Sequence, residues 1–71
     1  QADKAIANYK AAIAHSTNDF TTPVYLKKLA VAQEEVGDIA DAIANYERIK
    51  KEFSTSAEAQ GIEKFIAKLK N

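Results

Sequence analysis

Ala5-Ile6-Ala7-Asn8-Tyr9 recurs unchanged as Ala42-Ile43-Ala44-Asn45-Tyr46, a displacement from position 5 to position 42, or 37 residues. Around the first copy, Ala2, Ala5, Ile6, Tyr9, Ala12 and Ile13 fall at intervals of three and four. Around the second, Ile39, Ala42, Ile43, Tyr46, Ile49 and Phe53 do the same. That spacing draws one apolar stripe along an α-helix, so each copy of the duplicated segment is read as a helix with one face to bury. A repeat with a period of about 34 residues and two helices per unit is the pattern of stacked helix pairs, in which each unit covers a face that its neighbour cannot bury alone.

The chain reads outward from these two anchors. The first helix is expected over residues 2 to 16 and ends in Ser16-Thr17-Asn18-Asp19, whose side chains compete for backbone hydrogen bonds. Thr22-Pro23 reads as a start signal, Thr22 capping free amides and Pro23 losing no hydrogen bond at the first helical position. A second helix is expected from Pro23 to Val36, with a stripe of Leu26, Leu29, Ala30 and Val36 that Gln33 interrupts. Gly37 suits the left-handed residue that closes a helix, and Asp38 suits the cap of the next. The third helix should end near Phe53 or Ser54, with Glu47/Lys51 and Arg48/Glu52 placed for i,i+4 pairs on its outer face. Thr55 and Glu58 form a capping-box pattern ahead of a fourth stripe, Ala59, Ile62, Phe65, Ile66 and Leu69, which predicts a terminal capping helix over 55 to 69. No segment alternates with period two, so the fold is expected to be all-α, with about four antiparallel helices in a single domain.

The chain has 71 residues, and a chain of that size buries only roughly 60% of the surface its unfolded form exposes. With 0 Cys and 1 His, neither disulfides nor a structural metal can staple it, so helix packing or self-association must stabilise it. Ten Lys and Arg balance ten Asp and Glu, which argues against a nucleic-acid binder that relies on a strong positive field. No run approaches the roughly 18 to 20 apolar residues needed to span a membrane. The start at Gln1 inside a helical pattern, with 0 Met in the chain, implies a piece of something longer.

On these residues the chain resembles the tetratricopeptide repeat family. Leu26, Leu29 and Ala30 stand where that family places large, large and small residues on the first helix of a unit, and Gly37 stands at the turn between helices. Ala42, Tyr46 and Ile49 match the second helix of that unit, and Ala5, Tyr9 and Ala12 match the second helix of a preceding unit that lacks its first. Gln33 replaces a usual aromatic, Ile49 a usual alanine, and the segment from Thr17 to Thr22 is about three residues long for the family. The resemblance implies a right-handed helical-repeat superhelix that binds or scaffolds other proteins and peptides without chemistry or cofactor. It places Val24, Lys27, Val31 and Glu34 on the groove face as partner-binding residues. The stretch Phe53-Ser54-Thr55-Ser56-Ala57-Glu58-Ala59-Gln60, followed by Ile62 to Ile66, is similar to the C-terminal end of bacterial envelope-associated members. That implies a cell-envelope setting, on the periplasmic side, and a membrane-anchored parent.

Other constellations are weaker. His15 stands alone at a helix end, with no Cys, no glycine-rich phosphate loop and no Ser-His-acid arrangement to make a catalytic set, so no enzyme is expected. Glu34, Glu35, Asp38 and Asp41 lie close together but match no calcium-loop spacing, and no metal is expected. Asn8 and Asn45 are read as inter-helix or surface amides. Ile6, Tyr9 and Ile13, left unpaired, would favour a homo-oligomer. Lys64, Lys68 and Lys70 beside Phe65, Ile66 and Leu69 leave two alternatives, a membrane-surface helix and a small helix-turn-helix-like nucleic-acid binder.

Overall fold

The computed structural model describes residues 1–15 and 17–71 and contains four α-helices and one 3-10 turn. They are α1 (Ala2–His15), α2 (Thr21–Glu35), α3 (Ile39–Glu52), the 3-10 turn (Ala57–Ala59) and α4 (Ile62–Lys70). Among the described residues there is no strand, so the all-α expectation holds. The expected extension of the first helix to Ser16 falls outside the described residues.

Each helix packs on the next, with α2 between α1 and α3, and α3 between α2 and α4. The core lies where α2, α3 and α4 meet, and Leu26, Ala30, Ala42, Tyr46, Ile49, Ile62 and Ile66 form it. Ala30 and Ala42 are fully buried, which lets the α2 and α3 backbones approach around the large Tyr46 and Leu26. An aromatic contact recurs along the chain. Tyr9 of α1 meets Tyr25 of α2 at 6.3 Å between ring centroids, and Tyr46 of α3 meets Phe65 of α4 edge-on at 5.3 Å.

The α2–α3 connection is as tight as the sequence implies. Gly37 takes φ 85°, its amide donates to the Glu34 carbonyl (3.1 Å), and the Asp38 amide donates to the Gln33 carbonyl (2.9 Å). These are the paired bonds of a Schellman closure, which satisfies the last carbonyls of α2.

Four local expectations need correction. Helix α2 begins at Thr21, and Asn18 caps it, its side-chain oxygen accepting from the Phe20 amide (2.9 Å) and the Thr21 amide (2.7 Å). Thr22 is fully buried inside the first turn, where its hydroxyl accepts from the Asn18 amide (2.9 Å), so it locks the connector and caps nothing. Asp38 stands at the cap of α3 without a side-chain capping bond. The segment expected to be one helix over 55 to 69 is divided. Ser56, not Thr55, caps the 3-10 turn by accepting from the Ala59 amide (3.2 Å), and Gly61 at φ 71° reorients the chain before α4. Val36, assigned to the α2 stripe, is 41% exposed because the helix has closed before it.

Candidate functional site

The groove runs over α2, bordered by α1 on one side and the 3-10 turn on the other. A cavity of about 380 Å3 there is lined by Val24, Lys27 and Val31 of α2, joined by Lys28, Tyr9 and Glu58. Residues 24, 27, 28 and 31 share a helix face because they repeat at three and four, so the two valines supply apolar surface on either side of the two lysines. Val31 is 41% exposed, a β-branched apolar side chain left open to solvent in mid-helix.

Three of the four groove residues expected from sequence are therefore brought together, and Glu34 is not. Its carboxylate turns to the core edge, accepting from the Tyr46 hydroxyl at 2.5 Å and lying 3.8 Å from the Lys68 ammonium. Burial is the main cause that holds the Tyr46 phenol protonated far above the ordinary tyrosine range, and its bond to the Glu34 carboxylate adds to it. Lys27 is also partly engaged, with its ammonium 4.9 Å from the centroid of the Phe65 ring.

A second cavity, of about 540 Å3, continues from Val24 and Glu58 to the edge where the two long connectors meet. Phe20 and Phe53 wall it, and Asp19, Glu52 and Glu58 give it carboxylates. Phe20 is 88% exposed. The continuous depression thus has both lysines in its first part and Asp19 and Glu52 in its second, with Val24 and Glu58 where the two parts join. Sequence reading missed Tyr9, Lys28, Glu58, Phe20 and Phe53 as lining residues. Tyr9 and Phe53 sit on helix stripes and read as packing, whereas Phe20, an aromatic inside a polar connector, was a usable signal.

The remaining candidates are dispersed or engaged. His15 is exposed at the end of α1. Glu34, Glu35, Asp38 and Asp41 do not converge, and among the described residues no three acidic or imidazole side chains gather as a metal site. Asn45 donates to Gln33 (2.7 Å), an inter-helix bond that satisfies the buried Gln33 amide, whereas Asn8 is exposed. Of the lysines on α4, Lys70 meets Glu47 at 3.2 Å and Lys68 faces Glu34, so both spend their charge on carboxylates of this chain. Lys50 pairs with Glu63, and that bond raises the lysine's proton affinity. Of the two pairs expected on α3, Arg48 bonds Glu52 at 3.1 Å, while Glu47 reaches α4 in place of Lys51.

Searches against models of protein families, curated proteins and solved structures match nothing to this chain.

Proposed function

We propose that this chain is a non-catalytic scaffold of tetratricopeptide type that binds a partner protein or peptide in the groove over α2. In this reading α1 is the second helix of one unit, α2 and α3 form a full unit, and the 3-10 turn with α4 terminates a right-handed superhelix. The recurrent aromatic contact supports that arrangement, since Tyr9–Tyr25 and Tyr46–Phe65 join corresponding helices of successive units.

One observation carries the binding role. Val24, Lys27 and Val31 line one concave surface with an apolar floor and cations beside it, while carboxylates continue the depression at its far end. An extended segment with apolar side chains, acidic towards Val31 and basic towards Phe20, has the matching chemistry. The engagement of Lys68 and Lys70 by Glu34 and Glu47 favours a protein partner over a nucleic acid, because those ammonium groups already have counter-charges.

The test is selection of binding peptides from a displayed random library, followed by the double variant Lys27→Glu, Val31→Asp. Both side chains border solvent, so the fold should survive, as circular dichroism would verify. Selected peptides should lose at least about tenfold in affinity, the equivalent of about 1.4 kcal/mol. Unchanged affinity in a folded double variant would overturn the groove reading.

A further inference from the structure

The internal duplication supplies a direct reading of a second surface, the open side of α1. On α3, the stripe Ala42, Tyr46 and Ile49 is closed from both sides, with each of the three residues 0% exposed. Helix α4 closes one side, bringing Phe65 to Tyr46; α2 closes the other with Leu26 and Ala30 and supplies two acceptors, Gln33 accepting from Asn45 and Glu34 from the Tyr46 hydroxyl. On α1, the corresponding stripe Ala5, Tyr9 and Ala12 is only half-buried, and α1 contains no fully buried residue. Its one substantial neighbour is α2, which brings Tyr25 to Tyr9 and so takes the place that α4 takes on α3. Among the described residues the place that α2 takes on α3 has no substantial counterpart on α1. Among the described residues, Asn8 and the Tyr9 hydroxyl have no equivalents of the bonds to Gln33 and Glu34.

We infer that the open side of α1 docks a partner helix with the chemistry of α2: a leucine, an alanine four residues later, and a Gln-Glu pair three and four residues after that, as in Leu26, Ala30, Gln33 and Glu34. The alanine meets Ala5, the amide meets Asn8, and the carboxylate accepts from the Tyr9 hydroxyl. A second copy of this chain is a poorer occupant. Its own α2 is already seated on its α3, the outer face of its α4 exposes Glu63, Lys64, Ala67 and Lys68 and no leucine, and its α1 stripe of Ala, Ile and Tyr offers no carboxylate for the phenol. This surface is distinct from the groove floor on α2, although Tyr9 borders both.

The probe is a labelled peptide with the sequence Phe20–Gly37, titrated against the intact chain. Binding should weaken at least about tenfold when Ala5, which lies outside the groove lining, is changed to Glu, and severalfold when the peptide carries Glu34→Gln. The Lys27→Glu, Val31→Asp variant should bind the peptide unchanged, so failure of the groove reading and failure of this one are separable. Because a short peptide folds poorly alone, a fused chain provides a second measurement. Residues 20–41 are joined directly before Ala5, which continues into the duplicated segment in the register of α2 and α3. The fusion should raise the melting temperature by at least about 5 °C, and Leu26→Asp with Ala30→Asp in the added copy alone should abolish the gain. Neither peptide binding nor a melting gain, an Ala5→Glu variant that binds as well as the parent, or a dimer of the intact chain with Tyr9 buried at its centre would overturn the proposal.

Discussion

Ala5–Tyr9 and Ala42–Tyr46 are the same five residues, each within a 14-residue helix, and they end in different surroundings. On α3 they are the centre of the core, with Ala42 and Tyr46 sealed from solvent; on α1 the same side chains stay half-exposed. Helix periodicity fixes which residues share a face, but burial depends on how many neighbours that face receives. Among the described residues α3 has two substantial helix neighbours and α1 has one. The same segment is sealed in one position and left half-exposed in the other, with no change of sequence.

Paired substitutions break or sharpen this contrast. The largest effect is expected from truncating the tyrosines. Tyr46→Ala should cost about 3–5 kcal/mol, near the whole stability that a core this small supplies, whereas Tyr9→Ala should cost about 1–2 kcal/mol. Urea denaturation followed by circular dichroism would measure both, and equal losses would mean that the two helices are equally closed. Next come the alanines. Ala42→Leu forces three extra carbon atoms into the close α2–α3 contact and should cost about 1–3 kcal/mol, while Ala5→Leu should be within about 0.5 kcal/mol of the parent.

The polar residues follow. Asn45→Ala leaves the buried Gln33 amide without its partner and should cost about 1–2 kcal/mol, against little change for Asn8→Ala. The phenols differ in their response to alkali. The unfolded chain releases the Tyr46 proton near pH 10, and the folded chain holds it well above that, so the native state binds more protons as pH rises. The stability is fully present below about pH 10 and should fall above it by up to about 1.4 kcal/mol per pH unit on account of this group. Comparing the parent with Tyr46→Phe isolates that slope, which the variant should lack. The smallest effect concerns Arg48 and Glu52, which fall on α1 at Ala11 and His15, where no such pair can form. The α3 pair is exposed, and Arg48→Ala should change stability by no more than about 0.5 kcal/mol.

Much of the architecture was legible because it depends on local rules. The stripes of three and four residues located all four helices, and Gly37 located the tight turn, since a left-handed residue there is costly for any other side chain. The details missed were choices among neighbouring polar residues. Asn18, Thr22, Thr55 and Ser56 can all cap a helix, and which of them does so depends on where the connector places each side chain. Asn18 reaches two free amides, while Thr22 is drawn into the interior to hold the Asn18 amide. The break at Gly61 was masked by the apolar spacing from Ala59 to Ile62, which continues as though the helix did. Legibility of the groove was divided along the same line. Val24, Lys27 and Val31, which the family resemblance placed on the groove face, line one cavity, but Glu34, one turn on, is captured by a tyrosine twelve residues away in sequence.

The contrast between the two copies is tested most directly by amide hydrogen exchange across residues 5–9 and 42–46 in the same sample. The account predicts that the α3 amides exchange only through global unfolding, while the α1 amides exchange faster through local opening of a helix held on one side. Equal protection of the two segments at the global limit would contradict it, because α1 would then be as closed as α3 and would have no face left to offer.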